Sequence, residues 1–205
     1  MSNTIPISPK ILVAIALAYI SFYRSLMEYI DNSIDEADRC FFDREHNLYK
    51  KEILITVIHT GTTAANSSIS IQDNSGTLES SLINSIGNYF NIGDSKKVND
   101  DLLNGKFGFG MMSFLSICNK LTVTSKEGGE KYISSVIFNA KDLEKSGQNS
   151  VPYTVKFEDY NLSINDNFTR ITLSEFFSNK FKEFDLLKLK SEIELHFDLI
   201  LRRKN

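Results

Sequence analysis

Cysteine is scarce in this chain. The 205 residues hold two, Cys40 and Cys118. Two thiols that far apart build neither a disulfide framework nor a zinc site, so a reduced, cytoplasmic setting is expected. An excess of one charge is also missing. A net charge of −3 and a pI of about 5.7 give no bulk electrostatic drive toward nucleic acid or an anionic membrane. Long hydrophobic runs are absent too. The most apolar early stretch, 11–20 (ILVAIALAYI), is about half the length a spanning helix needs and soon meets Arg24 and Glu28. Lys10 apart, it lacks the basic start and the cleavage site of a signal peptide, and reads as a buried helix. No internal repeat or low-complexity tract occurs. What remains is ordinary: 41% hydrophobic and 24% charged residues, enough for one domain with a real core.

The stretch that organises the chain is 26–38, LMEYIDNSIDEAD. Wound as an α-helix, it places Glu28, Asn32 and Asp35 at i, i+4 and i+7, on one polar stripe. Met27, Ile30, Ile34 and Ala37 fall opposite, where a core would lie. Alone, such a stripe describes a solvated face. Its chemistry nevertheless suits a magnesium nucleotide. An amide oxygen can enter an octahedral magnesium shell, and a carboxylate one turn away can orient and deprotonate water.

The remaining elements follow from local pattern. Residues 1–9, with Pro6 and Pro9, read as an extended arm. Helical pattern then runs over 10–38, broken near Ser21, and a charged connection fills 39–50. The β-branched run 53–58 (ILITVI) reads as a buried strand. It pairs across HTGTTAANSS with a second strand over 69–71 that enters Asp73. A helix is expected over 78–90. The polar stretch 91–105 has little period and reads as a mobile lid. Strands over 121–125 and 132–138 flank KEGGEK as a hairpin, and 139–150 is a polar connection. Short strands follow over 153–157 and 170–173. From about 179 to 203 the chain is helical, with Phe181, Phe184, Leu187, Ile193 and Leu199 or Ile200 on its apolar side.

Two further motifs carry chemistry. Asp73-Asn-Ser-Gly-Thr ends a strand beside Gly76, so its carboxylate can face a ligand while the backbone passes close by, although the fragment in isolation reads as an Asx-type turn. In Gly105-Lys106-Phe107-Gly108-Phe109-Gly110 three glycines leave a backbone that phosphate can approach, ahead of the helix-like 111–117. The loop is neither a P-loop nor a dinucleotide fingerprint, since neither spacing occurs.

Taken in order, the three motifs resemble those of the GHKL ATPase superfamily, which includes DNA gyrase B subunits, ninety-kilodalton heat-shock chaperones, MutL and histidine kinases. Glu28-Tyr-Ile-Asp-Asn-Ser-Ile-Asp-Glu-Ala resembles the gyrase-type N-box. Gly105 through Ser113 resembles the glycine box of chaperone and MORC relatives. The likeness spans roughly 20–175. It implies the Bergerat fold, a two-layer α/β sandwich with a mixed, mostly antiparallel sheet and helices on one face. It implies ATP and Mg2+ as ligands, Glu28 as general base, Asn32 as the magnesium ligand and Asp35 as a supporting acid. Asp73 matches the acceptor for the adenine amino group. Gly105, Gly108 and Gly110, with Lys106, Phe107 and Phe109 between them, match the phosphate loop. Thr169 matches the threonine that helps fix adenine through water.

Departures accompany the likeness. Ser75 and Thr77 stand where the aspartate box usually has glycine, with Gly76 between them. Phe168 replaces the glycine before Thr169. The chain ends before the following domain from which relatives borrow a basic residue for the terminal phosphate. The expectation is therefore a fragment-like module that binds ATP better than it hydrolyses it, with a nucleotide-dependent dimer or a downstream transducer domain as partner. Two alternatives use the same residues. One is a protein kinase of the histidine-kinase or anti-sigma type, although such kinases generally lack the glutamate and His46, His59 and His196 sit in no phosphoacceptor context. The other is a non-catalytic interaction domain with a degenerate pocket.

Overall fold

A computed structural model describes residues 3–5, 10, 11, 14, 16, 21–75, 110–127, 129–145, 151–160 and 166–198. Gly76, the expected helix over 78–90, the expected lid over 91–105 and the glycine-loop residues 105–109 lie outside the described residues.

Helix α1, Phe22–Phe41, starts at Ser21, where the helical pattern was expected to break. Its apolar positions recur at three- and four-residue steps, and Phe22, Leu26, Met27, Tyr29, Ile30, Ile34 and Ala37 are all buried. The helix outruns its expected end by three residues. The connection after it is a small hairpin, β2 (Phe42–Asp43) against β3 (Leu48–Tyr49). Asp43 closes its turn by accepting the Glu45 and His46 backbone N–H groups.

The main sheet joins β1 (Asn3–Ile5), β4 (Ile55–Thr60), β5 (Ser68–Asp73), β6 (Cys118–Lys126), β7 (Tyr132–Asn139), β8 (Val151–Asp159) and β9 (Phe168–Phe176). Their order in space is β1-β8-β7-β6-β9-β5-β4. The mostly antiparallel sheet expected is present, and every pairing among the described strands is antiparallel. A short helix α2, Ala140–Lys145, occupies part of the expected connection after β7. Strand β4 corrects an expectation. It is an edge strand rather than a buried one, and Ile58 is 47% exposed. Only one of its faces meets the helices, so alternate residues of a continuous apolar run remain in solvent.

Register explains where the core sits. Ile69, Leu173, Leu121 and Phe138 form one cross-strand row, and Ile71, Ile171, Val123 and Val136 form the next. All eight are buried under α1 and the 3₁₀ turn Gly110–Ser116. The opposite face carries hydroxyl pairs such as Ser70 with Thr172 and Thr124 with Ser135, each at 3.0 Å. That polar face gives a two-layer sandwich, as expected.

The C-terminal segment breaks into α3 (Ser178–Phe181) and α4 (Leu186–His196). The intervening turn resets the helical phase, and Asp185 caps α4 by accepting the Lys188 N–H at 2.9 Å. Leu189 and Phe197 therefore take the core positions, with Ile193 packed beside them, whereas Leu187 is 77% exposed, contrary to expectation. Phe181 and Phe184 pack against the core as expected. Among the described residues, no helix is long and apolar enough to cross a membrane.

Candidate functional site

The apolar rows of the sheet end in a polar one. Moving one more pair along, Asp73 faces Thr169, Thr169 faces Ser125, and Ser125 faces Ser134 across four adjacent strands. Alternation puts these side chains on the same face as the core rows, and all four are buried. Asp73 and Thr169, nearly a hundred residues apart in sequence, are thus direct register partners. The Thr169 and Ser125 hydroxyls are 3.5 Å apart. Phe168 points the other way, its ring against Tyr160 and under the Arg170 guanidinium. A bulky residue in place of glycine thereby leaves the polar row clear.

Asp73 is 3% exposed, and burial pushes its carboxyl pKa up. Ser75 opposes that shift by donating both its backbone N–H (3.0 Å) and its hydroxyl to Asp73 Oδ1. The buried Ser33 hydroxyl on α1 makes no hydrogen bond of ordinary geometry among the described residues, and its proximity to Asp73 favours the charged form only as a lesser effect after Ser75. Ser75, already marked as a departure in the aspartate box, closes an Asx-type turn on the aspartate, and Ser33 is a neighbour that sequence reasoning did not single out. The position of Ser33, one step beyond Asn32 around the helix, was the available signal.

On α1, Glu28 and Asn32 are half-buried, as a group that meets both protein and ligand must be. Asp35 shares their stripe but is 2% exposed, so it belongs to the buried structure and not to an open surface. Glu28 meets the last residue of the glycine loop. A Cβ added at Gly110 would lie 2.6 Å from Glu28 Oε2 and 3.3 Å from its Cβ, so only glycine admits the carboxylate here unmoved. On its other side, Arg24 Nε stands 3.9 Å from Glu28 Oε1. Burial raises the Glu28 pKa and neighbouring Asp31 adds to this, while Arg24 and His196 oppose it.

Three hydrogen-bonding contacts fix this juxtaposition. The Tyr29 hydroxyl donates to the Met111 carbonyl (3.0 Å), and the Ser113 hydroxyl donates to the Ser25 carbonyl (3.2 Å). The Ser25 and Ser116 hydroxyls meet at 2.8 Å. The segment from Gly110 is a 3₁₀ turn rather than the α-helix its sequence suggests. Its buried Met111, Met112 and Phe114 anchor it instead.

The structure thus brings Glu28 against Gly110 and pairs Asp73 with Thr169. It places Asn32 on the Glu28 stripe and Ser33 one step round the same helix beside Asp73. Hard oxygen donors on α1 suit a hydrated divalent cation. A buried carboxylate beside hydroxyls suits a neutral amino donor. The histidines have other neighbours: His46 meets Asp43 at 3.1 Å, His59 packs on Phe184, and His196 meets Asp31 at 3.3 Å.

A search of curated proteins finds no match to this chain. A family model described as histidine kinase-, DNA gyrase B-, and HSP90-like ATPase matches residues 20–172. That span takes in α1, the Asp73 strand end, Gly110 and Thr169. The chain belongs to the histidine kinase-, DNA gyrase B- and HSP90-like ATPase family.

Proposed function

We propose that this domain binds ATP with magnesium and hydrolyses it, acting as the nucleotide-driven switch of a larger protein or assembly. The observation that carries the reading is the meeting of two distant motifs, Glu28 with Gly110, beside the buried Asp73–Thr169 pair. Adenine sits over the polar row. Its amino group donates to Asp73, and Thr169, Ser125 and Ser33 supply hydroxyls to the surrounding water. Asn32 would hold magnesium, which supplies charge neutralisation to the phosphates when bound. Gly76 belongs with Asp73 at the adenine, the loop from Gly105 to Gly110, with Lys106, Phe107 and Phe109, would cradle the phosphates, and Asp35 supports the Asn32 turn from within.

Glu28 then does the chemistry. Water attacks the terminal phosphorus, its proton passes to the Glu28 carboxylate, and the bond to the bridging oxygen breaks to release ADP and phosphate. The raised Glu28 pKa suits an acceptor of that proton. The terminal-phosphate group would bias residues 91–105 toward closure, and closure would favour a dimer or a transducer domain.

Calorimetric titration with ATP and ADP, with and without magnesium, tests this. Magnesium-dependent ATP binding that Asn32→Ala weakens is expected. Absence of any nucleotide binding by the folded protein would leave the non-catalytic alternative standing, and transfer of phosphate to protein would favour the kinase.

A further inference from the structure

Behind the polar row lies a buried lysine. Lys126, the last residue of β6, is 1% exposed, and alternation from Ser125 puts its side chain on the opposite face of the sheet. A lysine is rarely buried so completely unless its donors are used. Nζ donates to the Glu127 carbonyl (2.9 Å) and to the Asp166 carbonyl (3.3 Å), and it lies over the Tyr160 ring at 5.5 Å. These partners come from three segments. Glu127 opens the turn after β6, where its carbonyl also accepts the Glu130 N–H (3.2 Å). Asp166 leads into β9. Tyr160 follows β8, and its hydroxyl donates to Asp166 Oδ2 (3.0 Å).

Register gives this clamp its place. Lys126 and Phe168 are the last pair of the β6–β9 ladder, and Ser125 and Thr169 are the next pair inward. Strand ends fray where backbone carbonyls run out of ladder partners. Nζ joins carbonyls of both chain segments just past that last pair. Beside it the Phe168 ring is held between Tyr160, at 5.9 Å between centroids, and the Arg170 guanidinium, 5.2 Å away. Arg170 Nε in turn donates to Oε1 of Gln72, its register partner next to Asp73, at 2.7 Å. The strands that carry Asp73, Thr169 and Ser125 are therefore tied together on their back face. We propose that Lys126 is a positioning residue for the Thr169–Ser125 pair: its two carbonyl contacts hold the ends of β6 and β9 in register, and with them the hydroxyls that face the base. Lys126 acts from behind the sheet and meets no nucleotide.

The inference rests on adenine lying over the polar row, and one arm of its test needs no nucleotide. Lys126→Met keeps the stem and removes the donor. In hydrogen exchange of the free protein it should speed residues 124–126 and 168–170 by about tenfold or more, while 121–123 and 171–173 keep wild-type rates. The second arm is calorimetry with ATP and with inosine triphosphate, which has an oxygen in place of the adenine amino group. The variant should lose about three- to tenfold in affinity for ATP and less than about twofold for inosine triphosphate. A residue that only stabilised the fold would weaken both nucleotides alike. Should the methionine variant fail to fold, Lys126→Gln, which keeps a donor on a shorter stem, takes its place with the same order of effects. Exchange unchanged or raised equally along both strands overturns the proposal, as does an equal loss, or no loss, for the two nucleotides. If wild type binds ATP and neither arm responds as stated, this inference alone fails. If exchange responds and wild type binds no nucleotide, the ATPase reading fails instead.

Discussion

The two ends of the site are built differently. Asp73 lies on a sheet, 3% exposed, flanked by hydroxyls whose positions antiparallel register dictates. Glu28 lies on a helix surface with its side chain 22% exposed, between an exposed arginine and a glycine. Burial raises both carboxyl pKa values, but the compensation differs. Asp73 is offset by hydrogen bonds from Ser75, and Glu28 by charges from Arg24 and His196. Hydrogen bonds are short-ranged and directional, so they fix an acceptor where a base must be recognised. Charges act at a distance and tolerate movement, which a group that must meet water requires. On the proposed function, recognition would lie in the rigid layer and proton transfer at the adjustable one.

The comparison breaks most sharply at Glu28. Glu28→Gln should lower ATP turnover by about 10²–10⁴-fold while ATP affinity stays within a few-fold, since the carboxylate acts on water. Phosphate-release and binding assays on one preparation check both, and wild-type turnover would remove Glu28 from the mechanism. At the rigid end the pattern should invert. Asp73→Asn replaces an acceptor with an amide that can turn a donor toward the adenine amino group. ATP and ADP affinity should fall together by about ten- to a hundredfold, the cost of a mismatched buried group. Equal affinities in calorimetry would move the base elsewhere.

Gly110→Ala sharpens the contrast. The added methyl meets the tip of a flexible side chain and not backbone, so the fold should accept it while Glu28 Oε2 moves. Turnover should drop by about tenfold, with melting temperature and nucleotide affinity close to wild type. A loss of affinity matching the loss of turnover would mean that Gly110 serves phosphate and not the base.

Much of this was legible because it is local. The helical stripe of Glu28 and Asn32, the break at Ser21 and the hairpin around KEGGEK each follow from spacing within a few residues. The strand end at Asp73 was read from glycine chemistry. What stayed hidden is long-range. No local pattern says that Thr169 pairs with Asp73, or that Ser125 completes the row, because register is set by the whole sheet. The edge position of β4 made an apolar run look buried, and the turn over 182–185 shifted the phase that had assigned Leu187 to the core. Nothing near His196 in sequence points to its contact with Asp31.

The smallest effect separates the two ends by pH. Asp73 has a folded-state pKa above its ordinary value, chiefly through burial. On falling pH the folded chain therefore binds that proton before the unfolded chain does. The stability this contributes is fully present below the ordinary carboxylate range and is lost as pH rises through the folded value. Asp73→Asn is neutral throughout and removes that loss, and its carbonyl can still accept both Ser75 bonds. The variant that binds nucleotide worst should thus be more thermostable than wild type at neutral pH, the two converging in acid. Each kcal/mol recovered appears as about 2–4 °C in Tm. Glu28 shifts in the same direction, but it is partly exposed and solvent screens it, so Glu28→Gln should show the same trend more weakly. Melting curves of the three proteins between acid and neutral pH decide the matter. A constant offset across pH, or an Asp73→Asn protein less stable than wild type at neutral pH, would mean that Ser75 and Ser33 fully compensate the burial of that carboxylate.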